Sequence, residues 1–149
     1  NAEASAYVAI PPDVLFKKDV VFESGKLTAV AVRDAFAGYL KHAFLARRVE
    51  TLEQSLTTAR QGGCMYLVYP SVLSWEDYAT ELTGRRDKLE IKIQVLATAS
   101  GEVLDSVVLR ARSRWLNDGG DVPQDLLREP VKKYVAGLFR PVYVPSALQ

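Results

Sequence analysis

Between Lys88 and Trp115 the chain spells out a β-hairpin, and this hairpin constrains whatever is built around it. Leu89, Ile91, Ile93, Val95 and Ala97 alternate with Lys88, Glu90, Lys92 and Gln94, the period-two pattern of a strand with one buried face. After Ser100-Gly101, the residues Val103, Val107, Leu109, Ala111 and Trp115 share one parity, while Arg110, Arg112 and Arg114 share the other. A turn Ala99-Ser100-Gly101, with Gly101 in the left-handed region, is a common way to close such a pair. It sets Ile93 opposite Val107, Ile91 opposite Leu109 and Glu90 opposite Arg110. Apolar then meets apolar and opposite charges meet, so the register supports itself; a slip of one residue would turn the apolar set outward.

The rest of the chain supplies partners for this hairpin. Ala6-Tyr7-Val8-Ala9-Ile10 reads as a first strand, stopped by Pro11-Pro12. A loop with a solvated turn at Lys17-Lys18-Asp19 follows, from Asp13 to about Glu23. The period then changes: Leu27, Val30, Phe36, Leu40 and Phe44 predict a helix from an N-cap at Ser24 to Phe44, with His42 in its last turn. Arg48 to Leu52 reads as a short strand, and Gln54 to Gln61 as a short helix ended by Gly62-Gly63. Cys64-Met65-Tyr66-Leu67-Val68-Tyr69 is a continuous apolar run, expected of a central strand buried on both faces. It continues to Trp75, with a bulge or an edge position expected at Pro70. Asp77 to Arg86 reads as a polar connection containing the turn signal Thr83-Gly84. Asp121-Val122-Pro123-Gln124 resembles a capping box, Pro130 stops or restarts the helix it opens, and Val131, Tyr134, Val135 and Leu138 form the stripe of a final helix.

The order β-α-β-α-β-β-β-α predicts an α/β sandwich: one domain over residues 1–149, with its core in 6–140 and an extended tail in 141–149. The sheet is mixed and five-stranded, its first three strands parallel through helical crossovers and its last two antiparallel.

Chemistry-bearing residues are sparse. The chain has one His and one Cys among its 149 residues, which is too few for a zinc site of the usual composition or for a triad built on His. Cys64 reads as a small buried apolar residue and His42 as a structural or surface residue. Neither a Gly-rich phosphate loop nor a metal-ligand spacing is present, so no cofactor is expected. With 19 basic and 18 acidic residues, the charge balance gives no case for nucleic acid. No apolar run reaches the length of about 20 residues that spans a bilayer.

What remains is a recognition surface. Trp75-Glu76-Asp77 and Arg114-Trp115 each close a strand-like run and pass into charged or turn-forming residues. Because the two strands belong to one sheet, both Trp residues are predicted at one end of it, with Asp77 and Gly119 to Asp121 in adjoining loops. Trp and Arg are enriched where binding energy concentrates. The binding residues expected are therefore Trp75, Glu76, Asp77, Arg85, Arg86, Trp115, Gly119, Gly120 and Asp121, with plain core packing the alternative for both Trp residues. The Arg110/Arg112/Arg114 stripe reads as a solvated face balanced by Glu90 or one covered by another segment, with an anion site the alternative. Glu76, Asp77, Glu81 and Asp87 keep open a carboxylate-dependent hydrolase, whose substrate the residues themselves do not name.

The segments Leu67-Val68-Tyr69-Pro70 through Trp75-Glu76-Asp77, Thr80-Glu81 with Gly84-Arg85, and Arg114-Trp115 with Gly119 to Leu127 carry a resemblance. They resemble a family of small Gram-negative outer-membrane lipoproteins of unknown function. The resemblance implies a precursor with a signal peptide and a lipid-bearing Cys just before Asn1, a periplasmic domain anchored to the outer membrane through that lipid, and no other membrane contact. The start at Asn1-Ala2-Glu3 fits such processing. In architecture the chain is similar to the TolB amino-terminal domain and to periplasmic lipoproteins of the CsgG and LpoB type. This implies a non-enzymatic partner in envelope assembly, binding another envelope protein or itself.

Overall fold

The computed structural model describes residues 4–16, 19–20, 23–76, 88–112 and 123–140. Its main sheet holds β1 (Ser5–Ile10), β4 (His42–Val49), β5 (Tyr66–Glu76), β6 (Lys88–Ala97) and β7 (Val103–Arg112) in the order β4-β1-β5-β6-β7. The helices are α1 (Ser24–Ala37), α2 (Leu52–Gln61) and α3 (Pro123–Leu138). β1 runs parallel to β4 and β5, whereas β5, β6 and β7 are successively antiparallel. The predicted element order and mixed five-stranded sheet are therefore present. A two-stranded ladder, β2 (Leu15–Phe16) with β3 (Asp19–Val20), lies in the segment expected to be loop; two residues a side fall below what alternation in a sequence can reveal.

The main core lies between the sheet and the pair α1/α3. Val8, Val32, Phe36, Val68, Ile91, Ile93, Val131 and Val135 are its most enclosed members. A smaller core of Ala9, Leu67 and Leu96 sits on the opposite face, with Leu52 and Leu56 of α2 packed against it. Leu67 and Val68, adjacent on β5, are thus buried on opposite faces, as expected of the central strand.

The hairpin has the predicted register, with Glu90 opposite Arg110, Ile91 opposite Leu109 and Ile93 opposite Val107. Gly101 has φ 76°. The turn is one residue longer than expected. The Ala97 N–H donates to the Glu102 carbonyl at 2.9 Å, and that of Gly101 to the Ala97 carbonyl at 2.8 Å. A register shift beside Val95/Leu96 absorbs the difference before Asp105.

Several boundaries differ from the sequence reading. α1 ends at Ala37 rather than Phe44: the Leu40 N–H still bonds the Phe36 carbonyl, but that of Lys41 turns to the Ala4 carbonyl at 3.0 Å. Pairing of Ser5 to Val8 with His42 to Leu45 then claims the next residues for a strand. His42 thus opens β4 instead of ending a helix, and its ring stacks on Phe44 at 5.4 Å. The short strand expected at Arg48 to Leu52 is the end of this longer β4. α2 begins at Leu52, two residues early, because Thr51 and Gln54 form a reciprocal capping box. Ser24 does not cap α1. The N-cap is Glu23 at φ 62°, and the capping oxygens come from Asp13, which accepts from the Glu23 N–H at 3.0 Å and the Gly25 N–H at 2.8 Å. α3 runs straight through Pro130. The lost hydrogen bond is outweighed by Leu127, Val131 and Val135, which line up at helical spacing and are all buried. The expected capping residue Asp121 and the tail 141–149 lie outside the described residues.

Pro70 needs neither a bulge nor an outer strand. It pairs in register with Ile93, and β1 stops pairing with β5 at Val68, so no β1 ladder requires an N–H from Pro70. The bulge falls at Leu73, between the pairs Val72–Ile91 and Ser74–Glu90.

Candidate functional site

That bulge decides where Trp75 goes. Side chains alternate along a strand, so Val68 and Val72 face α1/α3 and an odd-numbered residue would face away. One inserted residue reverses the parity, and Trp75 joins Val72 on the core side, opposite Leu89 and only 2% exposed. It packs with the core and offers no area of its own to a partner. Core packing, the alternative reading of this residue, is where the structure places it.

Glu76, the next predicted residue, is half-buried on the other face, with the Ser74 hydroxyl 3.5 Å from Oε2. It stands opposite Lys88, and Lys88 stands opposite Arg112. Three strand ends therefore lie side by side. The segments 77–87 and 113–122 both leave the sheet from this end, as the shared-end reading requires of their roots. Asp77, Arg85, Arg86, Trp115, Gly119, Gly120 and Asp121, which complete the predicted surface, lie outside the described residues.

Beside these roots, Ser74, Glu76, Lys88, Glu90, Arg110 and Arg112 surround a shallow cleft of about 350 Å³. Arg110 Nε donates to Glu90 Oε2 at 2.5 Å, with the arginine side chain 74% exposed. This is the balanced pair expected from the stripe. Arg112 has no such partner among the described residues and lies opposite Lys88, a like-charge arrangement that disfavours an empty site. Arg114 lies outside them. Lys92 extends the same open face, which α2 does not reach. Among the described residues this arrangement has guanidinium and ammonium donors in excess over carboxylates, a balance that favours an added carboxylate. Of the carboxylates weighed for hydrolysis, only Glu76 is described; Asp77, Glu81 and Asp87 are not.

A second polar cluster, which nothing in the sequence singled out, lies between β4, β1 and α2. The Tyr7 hydroxyl donates to Glu50 Oε1 at 2.5 Å, and the Thr58 hydroxyl to Oε2 at 2.8 Å. Glu50 is 9% exposed. Burial raises the Tyr7 phenol above its ordinary pKa, and the hydrogen bond to Glu50 and the charge of that carboxylate raise it further. With both oxygens engaged by hydroxyls, Glu50 ties β1 to α2 rather than standing ready as a base. A cleft of about 700 Å³ opens beside it, lined also by Phe44, Arg47, Arg48 and Cys64. The only forewarning was a charged residue immediately before the helix cap Thr51. Cys64 is buried, and burial pushes its thiol pKa up, which disfavours the nucleophilic thiolate. Among the described residues no three His, Cys, Asp or Glu side chains are grouped to hold a metal ion. No helix is long and apolar enough to cross a membrane.

The model of the family described as Domain of unknown function (DUF4823) matches residues 1–138, and the chain belongs to that family. No curated protein matches it. Among solved structures, the chain is similar to the PelC dodecamer from Paraburkholderia phytofirmans, with TM-score 0.73 and 13% identity over 95% of this chain and 90% of that one. It is also similar to lipoprotein GNA1162 from Neisseria meningitidis, with TM-score 0.57 and 20% identity over 91% and 97% of the two chains. The LpoB C-terminal domain from Salmonella enterica gives TM-score 0.50 and 14% identity over 75% and 84%. At such identities the likeness is one of fold, and it includes the LpoB architecture expected from the order of elements.

Proposed function

We propose that this member of the DUF4823 family is a protein-binding module of the Gram-negative cell envelope. In this reading it is held on the periplasmic side of the outer membrane by a lipid on its precursor, and it acts by docking rather than by turnover. The observation that carries the reading is the open face of β5, β6 and β7. Leu73 and Val108 stand exposed on the strands that carry Lys88, Lys92, Arg110 and Arg112, Leu104 is exposed farther along β7 toward the turn, and the face runs into the strand ends at Glu76 and Arg112. An apolar centre beside unmatched charge is the composition of a contact surface. The reading also assigns binding to Glu76, whose strand end is described, and to Asp77, Arg85, Arg86, Trp115, Gly119, Gly120 and Asp121, which lie outside the described residues, with Trp75 as a buried footing. The envelope placement draws on the resemblance of the Leu67 to Leu127 region to outer-membrane lipoproteins, and on the likeness of fold to GNA1162, which is a lipoprotein. A tether raises the effective concentration of a nearby partner, so a modest interface suffices.

The test is photo-crosslinking in the native envelope, with benzoylphenylalanine replacing Val108 and, separately, Phe44. A discrete crosslinked protein from either position supports docking. Absence of any crosslink from both counts against it. Turnover of a cell-wall or lipid substrate by the purified chain, lost in Glu76→Gln, would replace docking by catalysis.

A further inference from the structure

β7 closes one side of the sheet, and nothing among the described residues pairs with its outer side. It is ten residues long, an edge of about 34 Å at 3.4 Å per residue. It contains no proline, and its ladder with β6 is regular from Asp105 to Arg112. Proteins commonly blunt such an edge with a bulge, a proline or a short length. The opposite edge, β4, is blunted in this way: between the pairs Val8–Leu45 and Ile10–Val49 it accommodates extra residues. β7 therefore keeps a usable row of backbone donors and acceptors.

The side chains say what would add to it. Val108, Arg110 and Arg112 share the face turned away from α1 and α3, beside Lys92, Glu90 and Lys88 of the neighbouring strand. Among the described residues, Lys88, Lys92, Arg110 and Arg112 meet Glu76 and Glu90 there, an excess of two positive charges (four less two). The whole chain has a net charge of +1, so the described part of this face is more basic than the chain as a whole.

A second copy of this chain fits poorly. β4 has no carboxylate and brings Arg47 and Arg48. β7 has one, Asp105, which lies on the helix side and accepts from the Tyr134 hydroxyl at 2.7 Å. Residues 141–149 carry no charged side chain, and the carboxylates of 77–87 and 113–122 lie outside the described residues.

We infer that the outer edge of β7 accepts an extended acidic segment of another protein as a sixth strand. This inference rests on the docking reading above and names the partner's chemistry. The segment has carboxylates at alternate positions beside Arg112 and Arg110 and an apolar residue beside Val108. Main-chain hydrogen bonds hold it and the alternate side chains select it.

The test uses the full 149-residue chain and a labelled, end-capped ten-residue peptide. The peptide alternates threonine with glutamate at the two positions next to the arginines and valine at the remaining alternate positions. A matched peptide has lysine for glutamate. Binding is read by fluorescence anisotropy, and its location by amide hydrogen exchange. The glutamate peptide is expected to bind saturably and to slow exchange in residues 103–112. Arg112→Glu, at an exposed position with no described ion-pair partner, should weaken binding roughly fivefold or more. Arg48→Glu, the same charge change on the opposite edge, should leave it unaltered. Equal binding of the lysine peptide to the unaltered protein, an Arg48→Glu loss as large as that of Arg112→Glu, or no slowing in β7 would each overturn the inference. In the envelope, a crosslinked partner from Phe44 but none from Val108 would overturn strand addition and leave docking standing; silence at both positions sinks both.

Discussion

Replacing Trp75 by Ala separates a footing from a contact. The side chain is 2% exposed and sits in the second-last pair of the β5–β6 ladder, so it closes the Glu76 end of the main core. A tryptophan buries about 150–250 Å², and at about 25 cal/mol per Å² its removal from water is worth roughly 4–6 kcal/mol. Alanine recovers a little of this, and a residual cavity takes some back, so the expected loss is about 3–5 kcal/mol. With an m-value of roughly 2 kcal/mol/M in urea, the unfolding midpoint should fall by about 2 M. Urea titration followed by far-UV circular dichroism measures it. Trp75→Ala also leaves Trp115 as the only tryptophan, so the emission lost is that of Trp75 and should be blue-shifted. Trp75→Phe should recover more than half of the stability. A midpoint shift below about 0.5 M, near 1 kcal/mol, would refute the burial argument, because no fully enclosed indole can be removed so cheaply.

Gly25→Ala should destabilise by at least 2 kcal/mol, order of magnitude, because an added Cβ would lie 1.9 Å from the Pro11 carbonyl oxygen and only backbone movement relieves it; thermal unfolding checks this. Cys64 should react with a thiol reagent far more slowly in the folded protein than in urea, with the gap greatest near neutral pH, where its raised pKa suppresses the thiolate; equal rates would contradict its burial. Of the seven tyrosines, Tyr7 and Tyr134 should ionise last, since burial first, and then the hydrogen bonds to Glu50 and Asp105, raise both. A phenol whose folded pKa exceeds its unfolded value of about 10 contributes stability that is complete below pH 10 and lost as pH rises above it. Absorbance at 295 nm and urea midpoints across pH 9–12 follow the two effects, and Tyr7→Phe with Tyr134→Phe should flatten the stability decline.

What could be read from the sequence was whatever a local pattern determines. Strict alternation from Lys88 to Gln94 fixed both the strand and its one-sided burial, and the facing charges of Glu90 and Arg110 fixed its register. The unbroken apolar run around Leu67 and Val68 marked the central strand. Features set by contacts distant in sequence stayed hidden. α1 stops at Ala37 because Lys41 bonds Ala4 and β1 recruits the residues beyond it. Its cap is Asp13, reached across the β2–β3 segment rather than from the adjacent Ser24. The bulge at Leu73 was misplaced to Pro70, because a proline announces itself in a sequence and a bulge between ordinary residues does not. That single residue turned Trp75 from the face with Glu76 to the core. The Tyr7–Glu50–Thr58 cluster joins residues of β1, the β4–α2 connection and α2, and no spacing along the chain brings them together.

The open face itself follows from topology. β1, β4 and β5 are mutually parallel, and parallel crossovers are right-handed almost without exception. From β1 the chain steps outward to β4 through α1, then back across β1 to β5 through α2. Two right-handed crossovers moving in opposite directions must lie on opposite faces, so α2 is sent to the side that α1 leaves bare. It lies over β1 and β5, above Ala9, Leu67 and Leu96. From β5 onward the chain proceeds by antiparallel strands, which need no helix, and α3 returns to the α1 side over β6 and β7. Among the described residues, nothing in this path covers the far side of β6 and β7 beyond Leu96, which lies under α2 near the turn. The sequence carries the matching signature: β6 alternates apolar with charged residues, whereas β5 is apolar on both parities where α2 covers it. A strand read as half-solvated, next to one read as fully buried, thus locates the bare part of the sheet. The chain has placed Lys88, Lys92, Arg110 and Arg112 there, with Val108 exposed among them. Lys88 has Glu76 on one side and Arg112 on the other, so the repulsion between the two cations is only partly offset, and among the described residues no carboxylate stands beside Arg112. A carboxylate bound there would offset the rest, and it is reached from the β7 edge, which no described strand pairs.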